Sequence, residues 1–104
     1  MSQSETGLTV IGRLVVARTR NAGVHIGVVQ SIDGETALLT DAYRLWRWKG
    51  ANSLHEVATR GVDMDYTRVS EMTESIVING WIELLPVTSK ARASLTTPRW
   101  PGDK

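Results

Sequence analysis

Apolar and polar positions divide the first half of the chain into short β-branched stretches separated by turn residues. Thr9 to Thr19, TVIGRLVVART, is apolar at both even and odd positions and predicts a strand covered in part on both faces. Gly12 within it marks a bulge or a close backbone approach. Arg20-Asn21-Ala22-Gly23 is turn chemistry, because Asn and Gly tolerate positive φ. Val24 to Ser31 predicts a second strand, with Val24, Ile26 and Val28 on one face and His25, Gly27 and Val29 on the other. Asp33-Gly34 is a hairpin signal, and Glu35 to Thr40 returns as a third strand. After Asp41-Ala42, Tyr43 to Lys49 predicts a further strand, with Arg44, Trp46 and Trp48 on one face and Tyr43, Leu45, Arg47 and Lys49 on the other. Gly50 breaks it. Asn52 or Ser53 then caps a short helix; Ser53 and Glu56 have capping-box spacing, Leu54, Val57 and Ala58 form its inner side, and Gly61 stops it.

The second half is less regular. Val62 to Glu74 is polar and reads as irregular chain. Ser75 to Ile78 and Trp81 to Leu85 flank Asn79-Gly80, which predicts a second hairpin. Pro86 ends the last strand, Ser89 to Leu95 suits a short helix, and Arg99-Trp100-Pro101 reads as extended. The expected fold is mainly β, of the α+β class. It is a small antiparallel barrel or curled sheet of five to six strands, with one short helix after the Trp-rich strand and another near the C-terminus. Residues 1–8 read as a flexible lead-in, 9–96 as a single β-rich domain and 97–104 as an extended tail.

Composition narrows the function classes. A chain of 104 residues is one domain and buries roughly two thirds of its unfolded surface. The net charge of +1 gives no bulk attraction to extended nucleic acid or to an anionic membrane, so any anion site must come from local clustering. The absence of cysteine excludes disulfides and thiolate metal sites. The N-terminal MSQSETG carries no apolar signal run, and no apolar run approaches the ~20 residues a spanning helix needs. No membrane association is expected. His25 and His55 are the two histidines, and neither has a serine or an acid at a telling spacing. No H-E-x-x-H and no phosphate loop is present. Asp63 and Asp65 lack the ligand count that calcium needs. The expectation is a non-enzymatic protein without cofactor or metal.

One stretch concentrates recognition chemistry. Tyr43 to Gly61 holds two of the four tryptophans and four of the twelve basic residues. Trp46 and Trp48 offer stacking faces, worth about 1–3 kcal/mol per base. Arg44, Arg47 and Lys49 offer phosphate donors, arginine in bidentate fashion, and His25 adds a further polar group. Arg44 to Lys49 spans under about 20 Å, enough for a mono- or dinucleotide. Arg18 and Arg20 are further basic residues within reach of a longer track. The competing reading is interior packing: the chain has no Phe, so Trp46 and Trp48 are the bulk available to a Val, Ile and Leu core, and Arg47 and Lys49 are solvated charges.

Gly23, Val24, His25 and Gly27, together with Trp46, Trp48, Gly50 and Ala51, resemble the motifs of an uncharacterised family of small proteins of tailed phages and prophages. The resemblance runs from about Val15 to Ala93 and includes WIELLPVTSKA, while the tail from Ser94 departs from it. It implies phage or prophage origin and carries no activity. The expected function is that of a phage-encoded binding protein sequestering a small nucleotide-like anionic signal in anti-defence, as a homo-oligomer in the host cytoplasm. One alternative is a virion or assembly component anchored by Trp46, Trp48 and Trp100. The other is an inhibitor that binds a host protein.

Overall fold

The structure is a computed structural model that describes residues 10–21, 23–47, 53–64 and 67–98. The predicted lead-in, the cap alternative Asn52, the Gly50-Ala51 break, Asp65 and the 99–104 part of the tail lie outside the described residues. Six strands, β1 (Leu14–Thr19), β2 (Val24–Asp33), β3 (Thr36–Arg47), β4 (Arg68–Val69), β5 (Thr73–Asn79) and β6 (Trp81–Pro86), form one sheet, with helices α1 (Leu54–Arg60) and α2 (Ser89–Leu95). The order is β4-β3-β2-β1-β6, and β5 shares the outer edge of β3 with β4. Every ladder is antiparallel.

β5 and β6 sit at opposite edges of this sheet, yet only Gly80 separates them. Laid flat, the path β5-β3-β2-β1-β6 would be roughly 19 Å wide at about 4.8 Å per strand. A single linking residue spans far less. The sheet therefore curls until the end of β5 meets the start of β6, without closing into a barrel. Gly80 takes φ of 85° at the corner. Its N–H donates to the Glu35 carbonyl and its own carbonyl accepts from Arg20 N–H, at 2.8 and 2.9 Å.

Side-chain alternation sends successive residues into two separate cores. Leu14, Val16, Ile26, Leu45 and Val69 pack beneath Val57 and Ala58 of α1 and Ala91 and Leu95 of α2. Val15, Ala17, Val29, Leu39, Ala42 and Ile78 fill the opposite, concave side with Val10. A strand buried on both faces needs apolar residues at every position, which is what Leu14 to Ala17 supply.

Four expected elements differ in the structure. The first strand begins at Leu14; Val10 to Arg13 form a turn in which Arg13 N–H donates to the Val10 carbonyl, and Gly12 takes φ of 83°. The predicted break at Asp41-Ala42 is a β-bulge within a continuous twelve-residue β3. Thr40 opposes Val28 and Tyr43 opposes Ile26, leaving Asp41, at φ of 48°, and Ala42 against Gly27. A Cβ at Gly27 would lie 3.0 Å from the Leu39 Cβ and 3.3 Å from the Ala42 Cβ, so this close approach needs glycine. Residues 62–74 include β4 and the start of β5, because β3 offers its outer edge to both. Asn79-Gly80 turns the chain but makes no hairpin, since its flanking strands pair with β3 and β1 instead of each other.

The other turns and caps follow the expected chemistry. Asp33 pairs with Thr36 around Gly34-Glu35, with positive φ at Gly34 alone, the pattern of a type II′ turn. Ser53 caps α1 by accepting from the Glu56 N–H at 3.3 Å, and Gly61 ends the helix at φ of 87°. Thr88 joins the two helices: its Oγ1 accepts from Ala91 N–H and donates to the Thr59 carbonyl, while its N–H donates to the Ala58 carbonyl.

Candidate functional site

The Trp-rich end of β3 crosses the sheet beside β2 and β4. His25 of β2 stands opposite Arg44 of β3. On the far side, Ser70 follows β4: its N–H donates to the Arg44 carbonyl at 3.0 Å and its Oγ accepts from the Arg44 N–H at 2.8 Å. The Ser70 hydroxyl then donates to the Glu71 carbonyl at 3.0 Å. Tyr43 and Leu45 face the helix-side core. Alternation therefore turns Arg44 and Trp46 to the opposite face, the one His25 also presents.

On that face the guanidinium carbon of Arg44 lies 3.9 Å from the Trp46 ring centroid. Trp46 as a whole is 50% exposed. The interior-packing reading of Trp46 is thus corrected: Leu39, Leu45 and their neighbours fill the two cores, and Trp46 belongs to neither. Gly23 borders the guanidinium on another side. A Cβ there would sit 2.9 Å from Arg44 Nη2 and 3.2 Å from Nε, and the residue has φ of 88°. Glycine is therefore favoured by the positive φ of the turn before β2, and without a Cβ it also leaves room for the Arg44 head. Face stacking uses the π-side of the guanidinium and leaves its five N–H donors in the plane. Among the described residues, no side chain or carbonyl takes a hydrogen bond from the Arg44 guanidinium.

The β3–β4 register adds a second cation. A shift between Leu45 and Arg47 places Arg68 opposite Arg47. Arg44, Arg47 and Arg68 thus occupy neighbouring positions of a two-strand segment that also carries Trp46 and Ser70. Sequence reasoning found Arg44, Trp46 and His25, and the structure brings these together. It missed Arg68 and Ser70, because only the long-range pairing of β4 to β3 delivers them, and no local pattern signals it. For Arg47 the backbone is placed at the end of β3; Trp48 and Lys49 lie outside the described residues.

The second histidine lies elsewhere. His55 is exposed on α1 and lines an open groove of about 390 Å³ on the helix side of the sheet, with Val24, Leu54 and the Arg18–Glu83 ion pair of 3.8 Å. Among the described residues no group of three or more His, Asp or Glu side chains is placed to hold a metal ion, and no helix is long and apolar enough to cross a membrane.

Residues 12–95 match a family described as a domain of unknown function, DUF6948. The chain belongs to that family. The DUF6948 span takes in all six strands and both helices, from Leu14 to Leu95, and with them the Arg44–Trp46 face. No curated protein and no solved structure matches the chain. Membership of DUF6948 therefore fits the expectation of an uncharacterised family and adds no activity to it.

Proposed function

We propose that this DUF6948 chain is a non-enzymatic binding protein for a small, planar, anionic ligand of the nucleotide type. The observation that carries the reading is the Arg44–Trp46 stack, 3.9 Å from guanidinium carbon to ring centroid on a half-exposed tryptophan. A base laid on the outer indole face gains about 1–3 kcal/mol. A phosphate at the in-plane edge of Arg44 takes paired, charge-assisted hydrogen bonds from a fork that the stack has already oriented. His25 opposite Arg44 extends the same face for a second anionic group, and Arg68 stands on the neighbouring strand, its backbone paired with that of Arg47. Trp48 and Lys49 follow directly in sequence and join the proposed site.

The residue inventory supports binding without catalysis, since neither histidine has a serine or acid at a telling spacing and catalysis needs a nucleophile, base and orienting group in register. The resemblance of the Gly23–Gly27 and Trp46–Ala51 motifs to phage proteins makes the host cytoplasm the proposed setting and a host nucleotide signal the proposed ligand.

Isothermal calorimetry against a panel of mononucleotides and cyclic dinucleotides tests this. At least one should bind the wild type, with affinity lost in Arg44→Met and Trp46→Ala at unchanged far-UV circular dichroism. A folded wild type that gives no heat with any member rejects the reading.

A further inference from the structure

The two outer edges of the sheet are built differently. β6 ends at Pro86, carries the Arg18–Glu83 ion pair, and meets β1 through a register shift at Arg18/Thr19. Proline, charge and bulges are the devices that keep an edge from pairing with another chain. β5, Thr73-Glu74-Ser75-Ile76-Val77-Ile78-Asn79, has no proline and no lysine, and runs beside β3 without a register shift. No described residue pairs with its outer edge. Val77, one residue past its centre, is 68% exposed, beside Leu38 of β3.

We propose that the outer edge of β5 pairs with β5 of a second copy of this chain, antiparallel about a two-fold axis at Val77. Identical strands meeting edge to edge under two-fold symmetry are necessarily antiparallel. This register sets Val77 against Val77 of the partner, joining the most exposed of the large apolar residues among those described to its own copy. Ser75 then faces the partner's Asn79, a pair able to hydrogen-bond. Glu74, the one charged residue of β5, falls opposite the partner's Gly80. A Cβ at Gly80 would lie 3.7 Å from the Arg20 Cβ, so the Glu74 carboxylate arrives beside the partner's Arg20. Arg20 is 60% exposed in its side chain and holds Glu35 at 3.4 Å, so it is able to take a second carboxylate. The two-fold axis repeats that ion pair, and no like charges oppose each other. The contact is one strand wide, which places it among the smaller, weaker interfaces. It is independent of the ligand reading, because β5 carries none of the proposed ligand residues.

The chain has no cysteine, so Val77→Cys introduces a single thiol. Opposed residues of an antiparallel pair have Cα atoms about 4.5–5.5 Å apart, inside the range a disulfide bridges. Under mild oxidation Val77→Cys should give a disulfide dimer, whereas Ile82→Cys, an exposed control on β6 at 46%, should stay monomeric. Sedimentation equilibrium of the wild type should show a reversible dimer. Val77→Lys should weaken it by about tenfold or more, since like charges then meet on the axis. Glu74→Arg should weaken it too, and Arg20→Glu in the same chain should restore it. Circular dichroism and thermal melting of each variant check that the monomer is folded. A wild type that stays monomeric to millimolar concentration overturns the proposal. So does a dimer indifferent to Val77→Lys, or equal crosslinking through Ile82→Cys.

Discussion

Replacing Trp46 by alanine and Arg44 by methionine, singly and together, measures whether their stack is an interaction or only a proximity. Tryptophan buries about 150–250 Å² when enclosed. At 50% exposure roughly 100 Å² of Trp46 is out of water, which at about 25 cal/mol per Å² stabilises the fold by at most about 2.5 kcal/mol. A fully enclosed ring costs about 3–5 kcal/mol on truncation. Trp46→Ala should therefore lose about 1–2.5 kcal/mol, clearly less than Leu39→Ala in the concave core, where about 2–5 kcal/mol is expected for a side chain with no exposure. The coupling between Arg44 and Trp46 should be about 1 kcal/mol, between the exposed and desolvated limits for a cation over an indole. Urea unfolding followed by far-UV circular dichroism gives all four corners of the cycle without relying on the fluorophore being mutated. A coupling of zero means that the stack does not persist in solution. A Trp46→Ala loss above about 4 kcal/mol means that the ring is interior. Either result removes the basis for a binding face.

Three further substitutions probe how the fold holds that face. Gly61→Ala should cost about 2–4 kcal/mol in urea melts, because φ of 87° is unfavourable for alanine and the new Cβ collides with Ser94 Oγ and lies 3.3 Å from the Ala91 Cα; Ser94→Ala in the same chain should recover only the collision part. Gly27→Ala should cost about 1–3 kcal/mol, since the Cβ atoms it meets on Leu39 and Ala42 have no rotamer by which to withdraw, and wild-type stability would show that the Asp41 bulge is not packed against Gly27. Trp81→Phe should change stability by no more than about 1 kcal/mol, because Trp81 Nε1 is buried with no partner among the described residues, so its loss relieves an unmet donor while removing ring area; a loss of several kcal/mol in a thermal melt would reveal a partner for that N–H.

What the sequence disclosed follows the range of the forces involved. The Gly34 turn, the Ser53 cap, the Gly61 stop and the faces of β2 are set by neighbours within a few residues, and local pattern finds them. Asn79-Gly80 is an equally good local turn, but local chemistry does not say which partners the flanking strands take. Asp41-Ala42 reads as a break because a polar and a small residue suit a strand end as well as a bulge; Gly27, fourteen residues before Asp41, decides between the two. Arg44 and Trp46 were visible as an aromatic and basic pair, yet their exposure depends on where the cores lie. Arg68 and Ser70 reach the site through a two-residue strand too short to leave a periodic signature.

The single-residue joint at Gly80 also fixes when this protein can finish folding during synthesis. Val15 of the first strand waits for Pro86, and Thr36 waits for Asn79, so both flanks of the nascent sheet stay bare until nearly the whole domain has left the ribosome. Pairings so distant along the chain close slowly. A product truncated before residue 73 would lose both flanking strands at once and present two sticky rims, not one.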